Sequence, residues 1–149
     1  MRRRFEMTDA ESTLGYEFSL ALQTRHPNLS AEVWSKRLRM VPVRSWTAGQ
    51  PRTTPTGRRL VGTYKASYGC WELAHGHGDS LVRSLAAMTE RLSKHTRLVQ
   101  HWRATGGTVA YYLALSGRRT IPVVLPPELL AKMGELGIEL GIEALHRDT

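Results

Sequence analysis

The chain has 149 residues, 41% of them hydrophobic and 23% charged, with a formal net charge of +8 and a single cysteine. One domain of ordinary globular composition fits that length, able to bury roughly two-thirds of its unfolded surface without a disulfide or structural metal. Cys70 has no intrachain partner, no apolar run approaches a membrane span of ~18 residues, and no apolar segment follows Arg2, Arg3 and Arg4. Together these point away from secretion and the membrane and make the cytoplasm the expected location.

The charge is unevenly placed. Residues 1–68 hold 12 Lys/Arg against 5 Asp/Glu, residues 69–116 hold 5 against 3, and residues 117–149 hold 4 against 5. The excess is therefore a property of the N-terminal part. Residues 1–13 are polar and aperiodic and read as a disordered basic tail, ahead of a single α+β domain over 14–146. A start at Met7 would remove three of the arginines.

Tyr16, Phe18, Leu20 and Leu22 alternate with Glu17, Ser19, Ala21 and Gln23, which predicts a half-buried strand over Tyr16–Thr24. A turn over Arg25–Asn28 follows. Ser30 is a good N-cap for a short helix that buries Val33, Trp34 and Leu38, and Pro42 ends it. Val43–Trp46 is extended. Thr47–Gly62, rich in Thr, Gly and Pro, reads as a long loop, and loops of that length are functional or disordered. The next strand is Thr63–His75, with Trp71 and Leu73 on one face and Tyr68, Cys70 and Glu72 on the other, ended by Gly76-His77-Gly78.

Leu81, Leu85, Met88, Leu92, Val99 and Trp102 then recur at alternating spacings of four and three, with His95 in the one missing place. This is the strongest periodic signal in the chain. An unbroken helix over it would be about 39 Å long, so a break near Ser93–Thr96 is expected. Gly106-Gly107 ends it. Val109–Ser116 alternates as the first strand does. Ile121–Leu125 is a short extended piece, and Pro126-Pro127 opens a helix burying Leu129, Leu130, Met133 and Leu136, with Gly137 after its end. Ile138, Leu140 and Ile142 alternate in a last strand.

The order β-α-β-β-α-β-α-β predicts a ferredoxin-like α+β fold: a mostly antiparallel sheet of four to five strands with helices packed on one face. The bare face would carry Glu17, Ser19, Ala21, Gln23, Cys70, Glu72, Ala110, Tyr112, Ala114, Glu139 and Glu143. It is small and acidic, a poor platform for nucleic acid and a good one for a homodimer.

Four groups of residues are candidates for chemistry. The first is the basic loop with aromatic neighbours: Arg44, Trp46, Arg52, Arg58, Arg59 and Lys65, with Trp71 nearby in the next strand. Guanidinium groups there can hold an anionic ligand or an acidic partner, although charged loops are more often simply solvated. The second is Cys70, His75, His77 and Asp79, whose spacing matches no zinc pattern and reads as a polar strand end. The third is Cys70 acting with a histidine; no nucleophile elbow, phosphate-binding loop or carboxylate pair supports it. The fourth, His95, belongs to the helix break. No catalytic residue, metal or cofactor is assigned.

One resemblance adds to this. The alternating first strand, Leu29-Ser30-Ala31-Glu32, Val41-Pro42-Val43 with Trp46 and Gly49, and Trp71-Glu72-Leu73 lead to the helix from Leu81. Leu125-Pro126-Pro127-Glu128-Leu129-Leu130 and Leu136-Gly137-Ile138-Glu139-Leu140 close the set. Across about Tyr16 to Leu145 the chain resembles the bacterial family catalogued as domain of unknown function 4279. Leu145 stands near the place where members tend to end in an aromatic. The resemblance implies a compact cytoplasmic α+β domain and supplies no reaction.

The expectation is therefore a non-enzymatic domain that binds a protein or small anionic ligand through Arg44, Trp46, Arg58, Arg59 and Trp71, and self-associates through the bare sheet face. Nucleic-acid binding through the tail and loop is the alternative from another class. A role like that of toxin-binding immunity proteins is a further one.

Overall fold

The computed structural model describes residues 15–147, so the tail predicted over residues 1–13 lies outside the described residues. The strands are β1 (Tyr16–His26), β2 (Arg44–Trp46), β3 (Pro51–Thr53), β4 (Arg59–Thr63), β5 (Ser67–His77), β6 (Thr108–Gly117) and β7 (Glu139–His146). The helices are α1 (Glu32–Leu38), α2 (Leu81–Ser93), α3 (Thr96–Ala104) and α4 (Pro127–Leu136). Among these residues the main sheet has five strands in the order β2-β5-β1-β6-β7, and β3 and β4 form a separate hairpin. Three of its neighbouring pairs are antiparallel; β7 lies parallel to β6. The sheet is thus mixed. The parallel pair follows from the α4 crossover between β6 and β7, which returns the chain to the same end of the sheet.

β1 lies at the centre. Tyr16, Phe18, Leu20, Leu22, Thr24 and His26 are all buried, and the residues between them are exposed or half-buried. Alternation therefore runs two residues beyond the predicted end, into the stretch read as a turn. All helices pack on the side these residues face, and with them Val109, Tyr111, Leu113 and Leu115 of β6 and Trp71 of β5. Among the described residues no helix covers the opposite face, as the alternation implied.

The stripe from Leu81 to Trp102 is buried along its length, and the helix breaks at Lys94–His95. His95 sits at the break, φ −121°, half-buried. The break lets two shorter helices lie on a sheet that a single rod would overshoot: α2 packs on β5 and α4, α3 on β6. Inside, the Thr89 hydroxyl and the Tyr111 phenol share a hydrogen bond of 2.7 Å, and burial pushes the phenol up to about 12. At the far end, Gly137 adopts φ +77° and closes α4, as glycine after a helix does. The Arg103 guanidinium lies where a Cβ at Gly137 would be.

Four elements meet at Trp102. Its indole N–H is shared between the carbonyls of Arg25 (3.0 Å) and Thr108 (3.2 Å), bridging the ends of β1 and β6. Its ring meets Trp34 of α1 edge-on at 5.6 Å and His26 at 4.7 Å. Gly107 passes so close that a Cβ there would fall 2.6 Å from the indole and 2.7 Å from the Arg25 carbonyl oxygen. His26, 2% exposed, is tied on both nitrogens. Nδ1 accepts the N–H groups of Asn28 (3.1 Å) and Leu29 (2.9 Å), so Nε2 carries the proton and donates to Thr105 Oγ1 at 2.8 Å. The neutral ring is what this site needs. Burial, then the charge of His101, lower its pKa below the ordinary value.

β5 carries a bulge. Ala21 pairs with Glu72 but Leu20 with Ala74, so Leu73 has no opposite residue. The extra residue re-phases the strand: Tyr68, Cys70 and Glu72 face the bare side before it, His75 and His77 after it.

Two outcomes are expected. Gly107→Ala lowers stability by about 1–3 kcal/mol through overpacking. Gly134→Ala, within α4 and with nothing near its Cβ position, raises it by roughly 0.5–1 kcal/mol. Denaturant midpoints check both. Because the folded-state pKa of His26 lies below its unfolded value of about 6.5, the unfolded chain binds the proton first as pH falls. Stability is therefore fully present above that value and falls as pH drops through it towards the folded-state pKa. Urea midpoints measured from pH 8 downward should show this decline, and His26→Gln should flatten it.

Candidate functional site

The stretch Thr47–Gly62, predicted to be a loop, holds the β3–β4 hairpin. Its ends are fixed by backbone bonds, Gly49 N–H to the Tyr64 carbonyl (2.8 Å) and Tyr64 N–H to the Gln50 carbonyl (2.9 Å). The turn at Gly49, φ +88°, is held by Thr47 N–H on Gln50 Oε1 (2.9 Å) and Ala48 N–H on Ser67 Oγ (3.0 Å). At the tip, Gly57 takes φ +96°, a value glycine adopts readily, and Arg58 N–H donates to Thr54 Oγ1 at 2.9 Å.

Thr53 joins the hairpin to the sheet edge. Its N–H donates to Tyr64 Oη at 3.1 Å, the Tyr64 hydroxyl donates back to its carbonyl at 3.1 Å, and Arg44 Nη2 donates to the same carbonyl at 2.9 Å. The Thr53 backbone bond holds the Tyr64 phenol below its ordinary pKa, and Arg44 acts in the same direction. The rings then stack: Trp46 on Tyr64 at 4.5 Å and 10°, and Trp46 on Tyr68 at 4.6 Å and 26°. Two guanidiniums lie against them, Arg44 at 5.1 Å from Trp46 and Arg25 at 4.7 Å from Tyr68. Burial pushes the Tyr68 phenol up to about 12; Cys70 adds to the rise and the two arginines oppose it.

Beside this stack is a cleft of about 410 Å³ between hairpin and sheet edge, lined by Trp46, Gln50, Thr53, Arg59 and Tyr64 among others. A second hollow of about 390 Å³ reaches from Trp46 and Gln50 to Ser30 and Ser35. The arrangement offers a flat aromatic wall, a guanidinium at Arg59, and hydroxyl and amide groups at the rim. That set suits a planar group carrying an anionic substituent.

Of the five candidates from sequence, Arg44, Trp46 and Arg59 are brought together here. Arg58 is exposed at the hairpin turn and does not line the cleft. Trp71 is corrected. It is 1% exposed, on the helix side of the sheet, and its indole N–H donates to Ser35 Oγ at 3.0 Å, so it braces α1 and lies away from the cleft. Tyr64 and Arg25 join the stack from outside the five. The alternation that reaches His26 carries the signal for Arg25; Tyr64 has none, since its partner Thr53 is brought to it only by the hairpin.

Cys70 and the histidines are not assembled into a site. Cys70 pairs with Gln23 and His75 with Ser19, four residues along β1 and therefore about 13 Å apart at 3.3 Å per residue. His75 Nδ1 instead meets Glu72 Oε2 at 3.3 Å on the surface. Among the described residues no group of three or more His, Cys, Asp or Glu is placed to hold a metal ion, and no helix is long and apolar enough to cross a membrane.

Tyr64→Phe removes both bonds to Thr53. At roughly 0.5–1.5 kcal/mol per bond, amide exchange across β3 and β4 should speed up several-fold while the five-stranded sheet keeps its protection. Hydrogen exchange read by mass spectrometry checks this.

No curated protein and no solved structure matches the chain. One family model does, described as "Domain of unknown function (DUF4279)", over residues 11–145. With the match spanning nearly the whole chain, the protein belongs to the DUF4279 family.

Proposed function

We propose that this is a binding domain without catalysis of its own, taking a ligand with a carboxylate or phosphate on a flat apolar group in the hairpin cleft. The observation that carries this is the stack Tyr64–Trp46–Tyr68, pressed by Arg25 and Arg44, at the wall of a cleft that also holds Arg59. Half-buried rings backed by cations on a rigid edge are pre-organised, which lowers the ordering cost of binding. The separation of Cys70 from His75 supports the non-catalytic reading, and a lone thiol suits the cytoplasm. The fold reading is finer than a mixed α+β sheet: the order β2-β5-β1-β6, antiparallel throughout, supports a ferredoxin-like core to which α4 and β7 are appended.

Nucleic-acid binding ranks second. The stacked rings favour it, but Glu72, Glu139 and Glu143 on the adjoining face would repel a phosphate backbone.

The test is titration with aryl carboxylates and aryl phosphates, followed by tryptophan fluorescence with Trp46→Phe as the reporter control. Arg59→Ala should weaken binding about tenfold or more, in line with a charge-assisted bond, and Arg58→Ala should change it little. Binding that survives both Arg59→Ala and Trp46→Ala unchanged would place the site elsewhere.

A further inference from the structure

The bare sheet face is laid out in rows by the strand register. Arg44 pairs with Cys70, Cys70 with Gln23, Gln23 with Ala110 and Ala110 with Glu139. One row therefore crosses all five strands, beginning on a cation at one edge and ending on a carboxylate at the other. The two rows beyond it pass through Ala21 and Ser19 on β1, and through Tyr112 and Ala114 on β6. On β5 the same two rows carry Glu72 and His75, which meet each other at 3.3 Å, while on β1 and β6 the side chains are small. Tyr112 is the large side chain on β6, and its hydroxyl donates to Glu143 Oε1 at 2.6 Å, laying the ring towards β7.

We infer that this face is covered by a second copy of the chain, about a two-fold axis running along β1. The central position of β1 makes the geometry self-complementary. Such an axis exchanges β2 with β7 and β5 with β6, so Arg44 comes over the partner copy's Glu139, and Glu139 over its Arg44. Gln23 meets its own symmetry mate, where two amides can exchange hydrogen bonds. Ala21 and Ser19 also lie on the axis, and their small side chains let the sheets approach.

The extent is sufficient. The strands have three, eleven, eleven, ten and eight residues across the sheet, which at about 4.8 Å spacing and about 3.3 Å per residue give a face of roughly 700 Å², within one partner's share of a standard interface, about 600–1,000 Å². The like charges on β1, Arg25 and Glu17, stand at its two ends. An axis along β1 brings each of them near its own symmetry mate, and each has a counter-partner within its own copy. Arg25 is drawn over Tyr68, and Glu17 faces Arg147 at 3.6 Å.

Sedimentation equilibrium over a concentration series tests this on the full chain. A concentration-dependent dimer is expected. Ala21→Arg, which sets two cations face to face on the axis, should raise its Kd at least about tenfold with an unchanged circular dichroism spectrum. Glu139→Arg should weaken it too. Because Arg44→Glu also releases the hairpin, the double variant Arg44→Glu/Glu139→Arg is read against Arg44→Glu alone, and should recover dimerisation. A monomer at every concentration, or a dimer that Ala21→Arg leaves intact, overturns the proposal. Failure of the double variant to recover overturns the axis along β1.

Discussion

The two-residue alternation of β1 is the constraint on which the remainder rests. It is the strand with hydrogen-bonded neighbours on both sides that are themselves long, so its phase is imposed on β5 and β6 through the register. A slip of one residue would bring Leu20 and Leu22 to water and Glu17 and Ser19 under the helices. The helices have no such choice of side: each has one apolar face, and β1 decides where that face finds a partner.

The end of β1 is locked by polar groups more than by apolar area. Trp102 bridges two carbonyls with one N–H, and His26 uses both ring nitrogens. These groups are buried, and each would carry a desolvation cost if its partner were lost. They fix where the strand stops, which neither Trp34 nor Leu22 could do by packing alone. At the opposite end of the sheet, β7 is exposed beyond Gly141.

What could be read from the sequence was what short-range pattern controls. The stripe from Leu81 to Trp102, its interruption at His95, the Pro126-Pro127 start of α4 and its Gly137 stop all follow from local spacing and backbone chemistry. The bare face was legible for the same reason. The hairpin was not, because β3 and β4 are three and five residues long, lack alternation, and are held by Thr53–Tyr64 and Arg44–Thr53 bonds that no periodicity encodes. Of the candidate site, the arginines and Trp46 were visible as composition. Their gathering around Tyr64 depends on that hairpin. Trp71 shows the reverse error: its strand phase already pointed it towards the helices, and its aromatic character suggested a ligand wall.

The bulge at Leu73 makes β5 two half-strands of opposite parity joined without a loop. Tolerance to charge along it should run through Tyr68, Cys70 and Glu72 and then jump to His75 and His77, an odd–even switch inside one unbroken strand. A length change at that point would therefore act as a side-swap for everything beyond it, sending Gly76 and Gly78, which lie against Phe18 and Tyr16, out of the core. One surplus residue thus keeps the two ends of the β1–β5 ladder in agreement about which way is in.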